Sequence, residues 1–299
     1  MRLSAQSAAP ILALSRQVQF RGKERLLHTL GLSLDNRDLV PRDVSEVRCI
    51  GGIRIRTHDA RDVMFRELWL HGYYQDDVLV ALENLLEPGD VFWDVGANFG
   101  FMSLWIDRYF DGAVSTTAFE PSPRVAATLR GNLELNAARA VRVEEQCLSD
   151  RCGRVTFYTS VDHSWNATLL PSFARLYGED VAIEVAATTI DSYASANGPP
   201  SVLKIDVEGA EHLVVAGGRD LLRSADIPLV VEYNTVAIKE AGLTPEGYLD
   251  LYREVGYRPY RMRSPLWGWC RWATLHETPH IVDIPELCNL VLLKHPPPY

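Results

Sequence analysis

A chain of 299 residues, 47% hydrophobic and 23% charged, is long enough for one large α/β domain with additions or for two small domains. Its net charge of -9 leaves no basic excess to neutralise phosphates, which argues against nucleic acid as the main partner. No apolar run reaches the length of a membrane span, and the short run at 8–14 is bracketed by Pro10 and Arg16, a poor fit to a secretory signal, so a cytoplasmic protein is expected.

Residues 1–45 carry no motif; 24–34 reads as a short helix and 39–43 as a loop. Two β-prone runs flank Gly51-Gly52, a hairpin signal, with Arg54 and Arg56 on its solvated face. Helices are predicted over 62–71 and 76–86, separated by Gly72-Tyr73-Tyr74. Elements then alternate: strand 91–95, helix 101–110, strand 115–119, helix 124–136, strand 141–148. That alternation predicts a parallel sheet. Runs 154–158 and 184–188 read as a hairpin insertion whose irregular loop, 162–178, overhangs the ligand crevice. A helix follows with Asp191 as its cap, then strand 202–205, helix 210–222, strand 229–231, helix 245–255 and late strands at 257–262 and 289–293. Between the late strands lies an aromatic stretch, Trp267 to Trp272. The five scattered cysteines form no C-x-x-C pair and read as free thiols of a reducing compartment.

Chemistry concentrates where strand 91–95 ends. Asp94-Val95-Gly96-Ala97-Asn98-Phe99-Gly100 is a strand end, a glycine turn and a helix start. The glycines let the backbone turn sharply and approach a ligand. Asn98 and Phe101 stand where a dinucleotide fingerprint has its second and third glycines, which argues against a pyrophosphate on this turn. Asp94 argues the same way and suits an amine or sulfonium, such as the amino-acid end of S-adenosylmethionine. Glycines alone fit an ordinary turn without ligand equally well. Glu120, 20 residues after Gly100 at the end of the next strand and followed by Pro121, is placed to accept ribose hydroxyls. Ser149 and Asp150 follow the third strand, where Asp150 is placed to meet an adenine amino group.

Asp94 to Gly100, Phe119-Glu120-Pro121-Ser122-Pro123 and Lys204-Ile205-Asp206-Val207-Glu208-Gly209-Ala210-Glu211 occur in that order. Together they resemble the FkbM family of S-adenosylmethionine-dependent methyltransferases, over roughly residues 60–295. The resemblance implies a class I, Rossmann-like α/β fold: a mostly parallel seven-stranded sheet with helices on both faces. It also implies methyl transfer to hydroxyl oxygens of sugars, polyketides and other secondary metabolites. Residues 1–75 are then an extension packed on a cofactor-binding domain, 76–299, with an insertion around 151–190. The cofactor contacts carried over are Asp94, Gly96, Ala97, Asn98, Gly100, Glu120, Pro121, Ser149, Asp150 and Asp206, the last beside the transferred methyl.

Catalytic candidates are Asp206 and Glu208, at the carboxyl edge of the sheet, and His163 as a base from the overhanging loop. Tyr74, Trp165, Glu232 and Asn234 are candidate contacts to a small-molecule or glycan hydroxyl acceptor. An Asp–Glu pair without further ligands is a weak metal signal, so no metal is expected. A homodimer is compatible with the sequence. Two rivals stand beside this reading: an NAD-dependent oxidoreductase on a similar sheet, and a non-catalytic Rossmann-like binding module.

Overall fold

The computed structural model describes residues 5–16, 23–30, 32, 40, 44–57, 62–159, 167–176, 181–263, 274–278 and 284–297. His163, Trp165 and the stretch Trp267 to Trp272 lie outside them. The chain opens with helices Ala5–Ser15 (α1) and Lys23–Thr29 (α2) and a hairpin of Glu46–Arg48 (β1) and Arg54–Arg56 (β2). Of these, α1 was not foreseen. Helices Val63–His71 (α3) and Asp76–Leu85 (α4) follow. Asp62 caps α3 by accepting from Phe65 N at 3.2 Å, and Gly72 ends it.

The core alternates Val91–Val95 (β3), Phe101–Tyr109 (α5), Ser115–Phe119 (β4), Pro123–Leu135 (α6) and Val141–Glu144 (β5). The expected strand 141–148 divides here. Cys147–Leu148 (β6) leaves the main sheet and joins the insertion, Gly153–Thr159 (β7) and Val181–Thr188 (β8), in a separate three-stranded sheet. Within the expected irregular loop, Pro171–Leu176 forms a helix (α7). Ile190–Asn197 (α8) is capped by Thr189, whose hydroxyl accepts from Ser192 N. Asp191 instead accepts from Asp220 N and Leu221 N at the start of a later helix.

After Val202–Ile205 (β9), the expected helix 210–222 breaks into Glu211–Ala216 (α9) and Arg219–Ser224 (α10). The break falls at Gly217-Gly218, where a Cβ on Gly217 would lie 2.0 Å from Ser149 O. Leu229–Asn234 (β10), Thr235–Glu240 (α11), Pro245–Arg253 (α12), Arg258–Arg263 (β11), Thr274–Glu277 (β12) and Leu287–Leu293 (β13) complete the chain.

The main sheet has the order β12-β11-β13-β10-β9-β3-β4-β5. Strands β10, β9, β3, β4 and β5 are mutually parallel, and β13 enters antiparallel between β10 and β11. Among the described residues the sheet therefore holds eight strands rather than the seven expected; the addition is the edge strand β12, which pairs with β11. Order reverses between β3 and β9, which is the crevice where open α/β sheets bind ligands. Strand alternation divides the core. Phe92, Val202 and Val230 face α3 to α6, whereas Trp93, Leu203 and Val231 pack with α8, α9 and α12.

The hairpin is tied to the core by amides. Asn132 Oδ1 accepts from Arg56 N at 2.8 Å, and its Nδ2 donates to Arg56 O and, at 3.0 Å, to Phe99 O in the glycine turn. Asn136, one helical turn on, exchanges the same pair of bonds with Arg54. Two side chains thus stand in for a neighbouring strand along β2. Arg54 and Arg56 are exposed and both pair with the half-buried Glu46, the solvated face expected of them. Asn132 is wholly buried, so Asn132→Ala strands backbone groups of two segments. A loss of about 3 kcal/mol is expected in urea unfolding, and a loss below about 1 would show that the amide does not carry the hairpin.

Candidate functional site

Period-two alternation puts the charged residues of the central strands on one face. Asp94 shares its face with Phe92, Lys204 with Val202 and Glu232 with Val230. The register sets Asp94 opposite Lys204, and Lys204 opposite Val230. Asp206 and Glu208 continue from β9 into the following turn.

Lys204 is buried and bridges two acids, with its ammonium 3.3 Å from Asp94 Oδ1 and 3.4 Å from Asp206 Oδ2. Burial pulls its pKa down, yet Asp206 and Asp94 more than offset this and hold it above the usual lysine value. Asp94 also accepts from Ser103 Oγ at 2.7 Å and is fully buried. It lies beneath the turn against Ser103 of α5 and beside Lys204, and is not among the residues that line the cleft.

The cleft lies over the carboxyl edge and holds about 870 Å³ of non-atom space, including its open mouth. Gly96, Ala97, Asn98, Glu120, Pro121 and Asp206 line it, with Phe119, Leu148 and Phe157 as apolar walls. Gly96 has φ 80°, and a Cβ there would lie 1.9 Å from Asp206 O. Gly100, at φ 85°, has no room for a Cβ against Leu129 and starts α5 rather than lining the cleft. Ser149 and Asp150 line a separate, smaller depression that shares Leu169 with the cleft. The cause is the departure of β6 from the main sheet, which carries these residues towards the insertion.

Glu120 is clamped by backbone donors. Asn98 N donates to its Oε2 at 3.1 Å and Ser122 N to its Oε1 at 2.9 Å. Burial pushes its carboxyl up to about 7, partly opposed by these two bonds. Asn98 has left-handed backbone at φ 50°, and its Oδ1 is buried without a hydrogen-bond partner. A glycine that brings backbone to the crevice, an orphaned amide oxygen, a buried acid and apolar walls suit an adenosyl ligand with an amino-acid tail. The residues present fit S-adenosylmethionine.

Glu208 also adopts left-handed backbone, at φ 53°. Asp206, Glu208 and Glu232 bring carboxylate oxygens within 4.8 Å of one another. Burial first, then mutual repulsion, pushes Glu208 and Glu232 well above the usual carboxylate range. Tyr74 is likewise raised, by burial and then by Asp206, Glu232 and Glu208. Tyr74 and Glu232, expected at the acceptor side, line a second, open depression of about 1020 Å³ of non-atom space, its open mouth included, that adjoins the cleft at Tyr74 and Gln75. Asn234 is placed otherwise: its Oδ1 accepts from Val236 N and Ala237 N, which makes it the cap of α11. The insertion contributes Phe157, Ala167 and Leu169 to the cleft, and Thr168 Oγ1 donates to Glu208 O at 2.8 Å.

Two residues were missed from sequence. Gln75 lies at the junction of the cavities and donates to Asp206 Oδ2 at 3.3 Å. Glu211, buried, accepts from Val207 N and Gly209 N and so holds the turn after β9 in shape. Burial raises its carboxyl to about 7. An acid four residues after Val207, in the first turn of the helix, was the available signal.

The strand order, with one antiparallel strand entering beside β10, and the glycine turn at the switch point define a class I, Rossmann-like methyltransferase fold. Residues 94–259, more than half of the chain, match the family profile of the Methyltransferase FkbM domain, and the chain belongs to that family. The 31-O-demethyl-FK506 methyltransferase FkbM of Streptomyces tacrolimicus is 33% identical over 168 residues, covering 45% of this chain and 62% of the relative. The 2-O-methyltransferase NoeI of Sinorhizobium fredii is 29% identical over 185 residues, covering 56% of this chain and 73% of that one. A crystal structure of Methyltransferase FkbM from Methylobacillus flagellatus KT has 14% identity and a TM-score of 0.46, over 77% of this chain and 53% of the other. The three motifs picked out in the sequence thus belong to the family they resemble. The chain spans less than two thirds of the length of the first of these relatives.

Proposed function

We propose that this protein is an S-adenosylmethionine-dependent O-methyltransferase acting on a hydroxyl of a sugar, polyketide or other secondary metabolite. The observation that carries the reading is the Glu120 clamp, a buried carboxylate fixed by Asn98 N and Ser122 N at the mouth of the glycine turn. In this reading Glu120 accepts the ribose hydroxyls. Asn98 Oδ1 and the backbone around Gly96 meet the amino-acid end, and Phe119, Leu148 and Phe157 enclose the base. The bound cofactor supplies an electrophilic methyl on a sulfonium. Asp206 faces the acceptor side of the cleft, held by Gln75 and Lys204, and with Glu208 orients the acceptor hydroxyl and takes up its proton. The family membership and the O-methyltransferases among the relatives support this reading over an oxidoreductase. Among the described residues no helix is long and apolar enough to cross a membrane, and Cys49, Cys147, Cys152 and Cys288 are free; the cytoplasm is the compartment we propose.

The test is calorimetric titration with S-adenosylmethionine, S-adenosylhomocysteine and NAD. The two adenosyl ligands are expected to bind and NAD is not. Glu120→Ala removes a charged acceptor and is expected to weaken binding by about 10- to 100-fold. Because burial raises Glu120 to about 7, its accepting form grows as pH rises through that value, so adenosyl affinity should increase between pH 6 and 8. Binding of NAD alone would overturn the reading. An unchanged affinity in Glu120→Ala would remove Glu120 from the ribose site.

A further inference from the structure

The turn after β9 is shaped from two directions. Glu208 holds left-handed backbone there, at φ 53°, a conformation that side chains other than glycine rarely adopt. The peptide unit between Glu208 and Gly209 is pinned at both of its polar atoms. Gly209 N donates to Glu211 Oε1 at 3.2 Å, and Glu208 O accepts from Thr168 Oγ1 at 2.8 Å. The first anchor is local, whereas the second comes from the insertion, 40 residues earlier in the chain. Thr168 is wholly buried, and its hydroxyl oxygen also accepts from Leu170 N at 3.1 Å, so its one proton is the one given to Glu208 O. The Thr168 backbone is fixed as well: its N donates to Tyr158 O at 2.9 Å and its O accepts from Tyr158 N at 2.8 Å. Ala167 and Leu169, on either side, line the cleft, and Thr168 between them does not.

We infer that Thr168 is a positioning residue, whose hydroxyl fixes the peptide unit after Glu208 and so keeps the Glu208 carboxyl in the cleft beside Asp206. One neutral hydrogen bond and the cost of left-handed backbone are of the same order, so a single bond decides which conformation the turn keeps. With Glu208 O released, only the Glu211 anchor remains on this peptide unit, and Glu208 relaxes towards ordinary backbone. Its carboxyl then leaves the place where burial, Glu232, Asp206 and Glu211 push it up and Lys204 partly opposes them, with Tyr74 as a further ionisable neighbour. The insertion itself does not hang on this bond. Its three strands pair with one another, and Ser172 Oγ of α7 donates to Glu240 O at 3.0 Å. That Glu208 orients an acceptor hydroxyl rests on the methyltransferase reading; that Thr168 places Glu208 does not.

The experiment follows the Glu208 carboxyl carbon across pH by nuclear magnetic resonance of the full chain carrying ¹³C-glutamate, its signal assigned by loss in Glu208→Gln, beside a calorimetric titration with S-adenosylhomocysteine. Thr168→Val keeps the shape and removes the donor. It is expected to raise the acid dissociation constant of Glu208 by about tenfold or more, with S-adenosylhomocysteine affinity held within about threefold. Glu120, clamped by a different turn and raised to about 7, should titrate as in wild type. Thr168→Ser keeps the donor and should restore Glu208. Thr156→Val, which removes an exposed hydroxyl bonded to Glu184 inside the insertion, is the control and should leave Glu208 unmoved. Thr168→Ala takes the place of Thr168→Val where circular dichroism shows the latter unfolded. An unmoved Glu208 midpoint in the folded variant, or an equal shift in Thr168→Ser or Thr156→Val, overturns the proposal. Unfolding of both Thr168→Val and Thr168→Ala also overturns it, because the hydroxyl then serves the fold alone. A wild-type chain that binds no S-adenosylhomocysteine removes the methyltransferase reading, while the Glu208 midpoint still decides the role of Thr168.

Discussion

Gly96→Ala is expected to lose cofactor binding by 100-fold or more and to lower the melting temperature by roughly 8 °C, the equivalent of about 4 kcal/mol in a chain of this size. The backbone at Gly96 has φ 80°, a conformation that costs alanine about 1 kcal/mol by itself. The larger effect is contact. The new Cβ would stand 1.9 Å from Asp206 O and 2.9 Å from Asp206 C, both backbone atoms, so no rotamer change relieves it. The turns after β3 and β9 must separate, and these two turns are the floor of the cleft. Gly89 supplies the comparison. It has φ 100° with nothing within 4 Å of its Cβ position, so Gly89→Ala carries the conformational cost without the clash. Thermal melts of the two variants separate the effects. If Gly89→Ala and Gly96→Ala lose the same stability, and both still bind S-adenosylhomocysteine, the close approach of the two turns is not what Gly96 provides.

The sequence made this turn legible because its chemistry is local. A strand, an acid and spaced glycines lie within ten residues, and Glu120 ends the next strand. That Asp94 lies against Lys204 is not legible in the same way, because a carboxylate at a strand end looks alike whether it faces ligand or core. Its partner is Lys204, 110 residues away, and only the pairing of β3 with β9 shows it. Asn234 was read as an edge residue although an asparagine immediately before a helical run is a capping signal. Glu232 was read correctly as lying at the edge, but its neighbours were not: that Gln75 and Glu208 converge on Asp206 depends on how α4 meets the sheet. That Ser149 and Asp150 line a depression beside the cleft has a topological cause, since nothing local tells that a strand will change sheets at residue 147.

The second large effect falls on Lys204. Lys204→Met keeps the volume of the chain's stem and removes its charge. Asp94, at 0% exposure, and the half-buried Asp206 then lose the ammonium they share. Breaking a buried pair in this way costs about 3–5 kcal/mol, and that loss is expected in urea unfolding of the variant. The pH dependence follows from the direction of the shift. A lysine held above its usual value contributes stability that is fully present below the unfolded pKa and is lost only as pH rises through the folded one. The deficit of Lys204→Met should therefore be undiminished up to pH 9. Asp94→Asn supplies the check, because Asp94 is the partner that does not line the cleft. In the double variant Lys204→Met/Asp94→Asn the stranded acid is gone, and part of the loss, about 1–3 kcal/mol, should be recovered as a coupling energy. Additive losses would mean that Lys204 acts elsewhere. A Lys204→Met deficit under about 1 kcal/mol would show that solvent or a bound ion, rather than this ammonium, carries the charge balance of the two central strands.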